Sequence, residues 1–262
     1  MIRLPALPLA LCLALGPAMA AAAPLACWYE HGVIVVPANV AGAAGDYILD
    51  TGAPRTELHD TRAQGMGLSG DAAQGDVDVG GFRFLDRSLA IASQDARTYA
   101  FPTPIAGVIG ADVLSAVIVE VDFRPCRVEL HAAAEAPAPK AGAQGQDLSW
   151  RAGRPVMWAA VSDGASARRV LVAPSTGLDA AVRLGAGTVD VATLPSLESL
   201  APYETGRADL RALSLGGALF ENLPTGLSGD EVSAVGPAVL ERWRLRFDFP
   251  AGRLLLIADD GP

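Results

Sequence analysis

Lysine is almost missing from this sequence: Lys140 is the only one, and it stands in a stretch rich in Ala, Pro and Gly. A Gly-rich loop that cradles phosphates ends in a lysine, so nucleotide hydrolysis of that kind is excluded. Histidine is scarce too. His31, His59 and His131 are isolated, and no His-Glu-x-x-His or paired-cysteine spacing offers ligands to a metal. No Gly-x-Ser-x-Gly elbow occurs, which removes the serine hydrolases built on it. Basic runs are lacking and the formal net charge is −9, so there is no footprint for nucleic acid. Neither a cofactor nor a metal is expected.

What is present at the N-terminus reads as an export signal over residues 1–23. Arg3 precedes the apolar run "ALPLALCLALG", and small residues follow in "PAMAAAAP", with cleavage expected after Ala20 or Ala23. The run is too short, and too soon followed by Ala and Pro, for a membrane anchor. Lipid attachment at Cys27 is the weaker alternative, because Pro24 and Leu25 stand where a lipobox wants Leu and a small residue. The mature chain is expected in the periplasm or outside the cell. It loses Cys12 and keeps Cys27 and Cys126, which there form a disulfide or remain two partly buried thiols.

Residues 132–147, "AAAEAPAPKAGAQGQD", contain no large apolar residue and read as a linker. The segments on either side, 24–131 and 148–262, repeat each other. "VIGADVLSAVIVEVDFRPCRVEL" begins at Val108 and "AVGPAVLERWRLRFDFPAGRLLL" at Ala234. Gly110 and Gly236, Leu114 and Leu240, Asp122 and Asp248, and Arg127 and Arg253 are each 126 residues apart. At a spacing of 125, Asp50-Thr51-Gly52 falls on Ser175-Thr176-Gly177, and at 136 Gly80-Gly81 resembles Gly216-Gly217. So many positions in the same order point to a duplicated domain.

Local patterns are mostly strand. "GVIVVPANV" and "DYILD" flank the glycine-rich turn "AGAAG", and "DVDVGGFRFLDRSLAIA" alternates around Gly-Gly. The two repeated C-terminal segments each read as a pair of strands around a turn, with Asp122 and Asp248 bonding turn amides. Short helices are expected at "ADVLSA" and "PAVLERW", where Pro237 suits a first turn. The class is all-β, a duplicated architecture with a few short helices.

An apolar strand ending in Asp50-Thr51-Gly52-Ala53, followed some sixty residues later by "VIG" and a short helix, resembles one lobe of a retropepsin-like aspartic protease. Both halves carry the outline, so the chain is similar to an exported, bacterial, two-lobe member, as in pepsin-type enzymes, and the resemblance implies a pair of acid-protease β-barrel lobes with short helices. The resemblance implies that Asp50 is a catalytic carboxylate. It implies that Thr51, Gly52, Ala53 and Gly110 support its loop, Thr51 bonding across the lobe interface and Gly110 leaving room for the loop above it. The plain alternative is a turn or capping aspartate. In this fold the first and last strands of a lobe run close together, which implies a Cys27–Cys126 disulfide.

The departure from the family lies in the second loop: Ser175, Thr176 and Gly177, with Gly236 downstream, carry serine where the second aspartate belongs. Two facing carboxylates share a proton and divide the roles of base and acid; serine does not. Asp179, four residues on, is expected to point elsewhere. A first-lobe flap over the site is expected from residues 61–76, a short stretch poor in strand formers, and a second from 187–210, where Tyr203 is first of all an ordinary packed tyrosine and otherwise an aromatic wall of the groove. Three readings follow: a peptidase whose aspartate pair comes from two chains joined as a homodimer through their first lobes, a single-aspartate hydrolase, or a degenerate protease that binds a peptide or envelope protein. An aspartic-type endopeptidase acting on peptide or protein substrates is the leading expectation.

Overall fold

The computed structural model describes residues 24–95, 99–139, 142–185 and 207–258. The expected export signal over residues 1–23, Lys140, and residues 187–206 of the expected second flap, Tyr203 among them, lie outside these residues. Of the described residues 56% are strand and 7% helix, and they close into two six-stranded barrels, in keeping with the duplicated all-β reading.

The first barrel opens with β1 (Trp28–Glu30), β2 (Val33–Val40) and β3 (Ala43–Leu49). It continues through β4 (Glu57–His59), helix α1 (Asp60–Gly65), the long hairpin β5 (Ala72–Val79) and β6 (Phe82–Ala92), and β7 (Ile105–Ile109). Strand order is β1-β2-β3-β7-β4-β6-β5, and a further β2–β5 pairing closes the barrel. Two-residue turns make the hairpins: Ala41-Gly42 and Gly80-Gly81 all have positive φ, which suits the right-handed twist of the paired strands. The turn expected over "AGAAG" is thus shorter, and Ala43, Ala44 and Gly45 belong to β3.

After helix α2 (Ala111–Leu114), strands β8 (Ile118–Phe123) and β9 (Cys126–His131) leave the barrel as a separate hairpin. The second half repeats the plan. Its barrel holds β11 (Ser149–Arg151), β12 (Arg154–Ser162), β13 (Ala167–Pro174), β14 (Val182–Leu184), β15 (Arg207–Leu215), β16 (Ala218–Leu227) and β17 (Ser233–Val235). Their order is β11-β12-β13-β17-β14-β16-β15, closed by β12–β15, which is the order of the first barrel strand for strand. Helix α3 (Pro237–Leu240) and the hairpin β18 (Trp243–Asp248) and β19 (Arg253–Ala258) complete it.

One sheet joins the halves. β8 pairs antiparallel with β18, Glu120 opposite Arg246, and β9 and β19 flank this pair. Strand β10 (Gln144–Asp147) corrects the linker boundary, since these last four linker residues pair with β19 from Gln144↔Leu256 to Asp147↔Arg253. An edge strand is held by backbone bonds and needs no apolar side chains, so composition did not reveal it. A single apolar core runs through both barrels and this sheet, from Ile34, Tyr47 and Leu58 through Val119 and Val121 to Phe247 and Leu254. Within the sheet, buried Glu120 accepts bonds from Arg244 and, at 2.6 Å, from Arg246.

Cys27 and Cys126 form a disulfide with Cα atoms 5.8 Å apart, tying the start of the first lobe to its last hairpin. Asp122 and Asp248 each accept a turn amide, from Arg124 and Ala251, as read from their place in the repeat. Residues 61–76 do not form a hairpin of their own: they build α1 and the first half of β5.

Candidate functional site

Strand β3 runs parallel to β7, with Leu49 opposite Ile109, while β4 runs antiparallel to the same strand, with Glu57 opposite Val108. The segment between them, residues 50–56, must therefore cross the end of β7. Asp50 extends the ladder one step past the strand, its amide donating to the Ile109 carbonyl at 2.9 Å. In the second lobe β13, β17 and β14 repeat the arrangement, and the Ser175 amide donates to the Val235 carbonyl at 2.9 Å. Asp50 and Ser175 are structural equivalents. The crossing is so close that a β-carbon on Gly110 would stand 2.5 Å from the Arg55 carbonyl, and one on Gly236 2.1 Å from that of Ala180.

The two loops meet at the lobe interface and bond to each other. Thr51 donates its amide to Thr176 Oγ1 at 3.1 Å and its hydroxyl to the Pro174 carbonyl at 2.7 Å. Thr176 returns a hydroxyl bond to the Leu49 carbonyl at 2.6 Å. Both threonines are fully buried, so the two hydroxyl bonds also satisfy carbonyls shut off from water. Gly52 and Gly177 are required by contact: a β-carbon on Gly52 would lie 2.6 Å from Ser175 Cβ, and one on Gly177 2.6 Å from Asp50 Cβ.

Asp50, 7% exposed, accepts two bonds on Oδ1, from the Ser175 hydroxyl at 2.6 Å and the Gly52 amide at 2.8 Å. Among the described residues no group bonds Oδ2. A cavity of about 270 Å³ opens beside the pair, and Ala53, Pro54, Glu57, Gln94, Arg154 and Arg183 contribute to its wall. Ala53 also joins a small apolar cluster with Val33, Val35, Ile48, Ile105 and Val108, which explains why both faces of the first half of β2 are buried.

Several of these residues carry no motif. Arg154 donates to the Gly52 carbonyl at 2.9 Å and lies 3.4 Å from Asp230, so a second-lobe cation holds the first-lobe loop. Its position follows from the turn Ala152-Gly153, which mirrors His31-Gly32 in the first lobe; both turns have positive φ. That pair of turns was a signal in the sequence that the repeat alignment passed over. Gln94 donates to Glu57 at 2.6 Å at the cavity's edge. Buried Thr56 donates to Asp112 at 2.8 Å and accepts the Gly110 amide at 3.0 Å, bracing the loop end against α2. Asp179 is directed outward, paired with Arg183 at 3.5 Å and largely exposed, as its spacing implied.

Chemically, the site offers the Asp50 carboxylate fixed by two donors, a hydroxyl where a symmetric partner would bear a second carboxylate, and a polar cavity lined by two guanidinium groups and by the carboxylates of Glu57 and Asp230. Comparison with protein-family models and with curated proteins gave no match.

Proposed function

We propose that the chain is an aspartic-type peptidase working with one carboxylate. Asp50 takes a proton from a water molecule as its oxygen bonds to the scissile carbonyl carbon, and the π pair moves onto the carbonyl oxygen. The protonated Asp50 then gives that proton to the leaving nitrogen as the C–N bond breaks, which yields an acid and an amine. Ser175 positions the carboxylate through its hydroxyl bond. The observation that carries the reading is a buried carboxylate lining a cavity where two equivalent, cross-bonded loops meet. The sequence resemblance to retropepsin-like and pepsin-type proteases supports it from a second side. The Cys27–Cys126 disulfide supports work in an oxidising compartment, the periplasm or the exterior.

A peptidase completed by pairing two first lobes is disfavoured. The face around Asp50 is already covered by the Ser175 loop of the same chain, and a second chain would have to break the Thr51–Pro174 and Thr176–Leu49 bonds to reach it. Ser175 itself favours a second reading, a module that binds peptides without cleaving them.

Mature protein incubated with a mixed peptide library across about pH 3 to 7 separates the two, with Asp50→Asn alongside. Cleavage that falls by about 10²-fold or more in the variant is the expected result. Cleavage undiminished in Asp50→Asn overturns it, and binding without cleavage leaves the module.

A further inference from the structure

A second cavity, of about 310 Å³, lies beside the Asp50 cavity and shares Val232 with it. Among the described residues, guanidinium groups from Arg151, Arg168 and Arg169 line it with one carboxylate, Glu231; Arg168 is already engaged elsewhere, which leaves Arg151 and Arg169 to face a ligand. The chain as a whole carries −9, so this is a local reversal of sign. Its floor is apolar and aromatic: half-exposed Trp158 stands opposite Leu171 in the β12–β13 register, and Ala160 opposite Arg169. The Arg169 guanidinium lies 4.6 Å from the Trp158 ring centre, a stacking that holds the planar cation in place.

We propose that this cavity binds a carboxylate of an acidic peptide and thereby selects the substrates that reach Asp50. Planar guanidinium groups above an apolar floor suit a carboxylate on a short alkyl stem, the fork meeting both oxygens while the stem covers the indole. A peptide lying in the Asp50 cavity passes over Val232 into the arginine-lined one. The inference rests on the peptidase reading only for that path; the binding of the carboxylate stands without cleavage.

The test is fluorescence anisotropy on the mature chain with three labelled peptides: one containing a single Glu with an amidated C-terminus, its Gln counterpart, and the Gln counterpart with a free C-terminus. The Glu peptide should bind about tenfold tighter than the amidated Gln peptide, a gap that shrinks as salt rises. The third peptide tells whether a terminal carboxylate serves as well as a side chain. In Arg151→Gln/Arg169→Gln, folded by its thermal midpoint, the gap should close to within about twofold. If that variant does not fold, Arg151→Gln alone should lose about threefold. Equal binding of all three peptides, or a gap that survives in the folded double variant, overturns the proposal. Acid preference without cleavage would count against the peptidase reading alone.

Discussion

Gly177, in the second lobe, packs its α-carbon against Asp50 of the first, so close that a β-carbon there would stand 2.6 Å from Asp50 Cβ and 2.7 Å from Ile48 Cγ2. The neighbours are a short acid and a fully buried core residue, and neither has room to move. Gly177→Ala should therefore cost about 1–3 kcal/mol, the usual range for overpacking, and displace the carboxylate. Denaturant unfolding and peptide cleavage should fall together. A variant with wild-type stability and activity would mean that the loops are not held this tightly.

Ser175→Asp supplies the missing carboxylate in a loop whose cross-bonds are intact. Two carboxylates in this geometry share one proton. The variant should gain peptidase activity with a bell-shaped acid-side profile and lose stability toward neutral pH, where both groups would ionise. A pH–rate series and a pH–stability series check the two halves of this expectation. No gain in activity, with the fold retained, would favour the binding module.

Glu120 is buried at the joint between the lobes with both oxygens engaged by arginines. Glu120→Ala leaves two cations there without their acceptor and should cost about 3–5 kcal/mol in urea unfolding. Glu120→Leu combined with Arg246→Leu should recover part of that loss, since an apolar pair of similar volume avoids the desolvation of an unpaired charge.

Burial raises the Tyr47 hydroxyl from its ordinary value of 10.0 to about 12, while that hydroxyl donates to the Ala43 carbonyl at 2.7 Å. Between those two values the unfolded chain releases a proton that the folded chain keeps. The contribution to stability is complete below about pH 10 and is lost as pH rises toward 12, amounting to roughly 3 kcal/mol. Tyr47→Phe should flatten this alkaline fall, and should cost about 1 kcal/mol at neutral pH through the lost bond. Thermal melts of both proteins from about pH 8 to 12 provide the comparison.

The repeat was legible because the residues that mark it are those the geometry restricts most: Gly110 and Gly236 under crossing loops, Gly80-Gly81 and Gly216-Gly217 in tight turns. Those positions admit few substitutes, so they stay in order and can be aligned. Helix α1 was hidden in a polar, glycine-rich stretch, where its lone buried residue, Ala63, gives no periodic signal. Strand β10 was hidden because only its backbone takes part. In the site, Asp50, Thr51 and Gly52 declared themselves as a motif, whereas Glu57 on β4, Gln94 just beyond β6 and Arg154 on β12 meet only after both barrels close. Likewise the Glu120–Arg246 pair depends on the register of β8 against β18, which no local pattern encodes.

The sheet shared by the two lobes has a consequence for any attempt to separate them. Cut between the halves, each would expose one long strand, β8 or β18, with a row of unsatisfied amides and carbonyls along its edge. Such halves seek a mate. A lone first half, or a one-lobe forebear of this chain, would meet that need by joining a copy of itself along β8, and that union would bring two Asp50 loops face to face. In the intact chain β18 fills that edge instead, so the loop facing Asp50 is a different stretch of the same polypeptide and is not obliged to carry the same side chain.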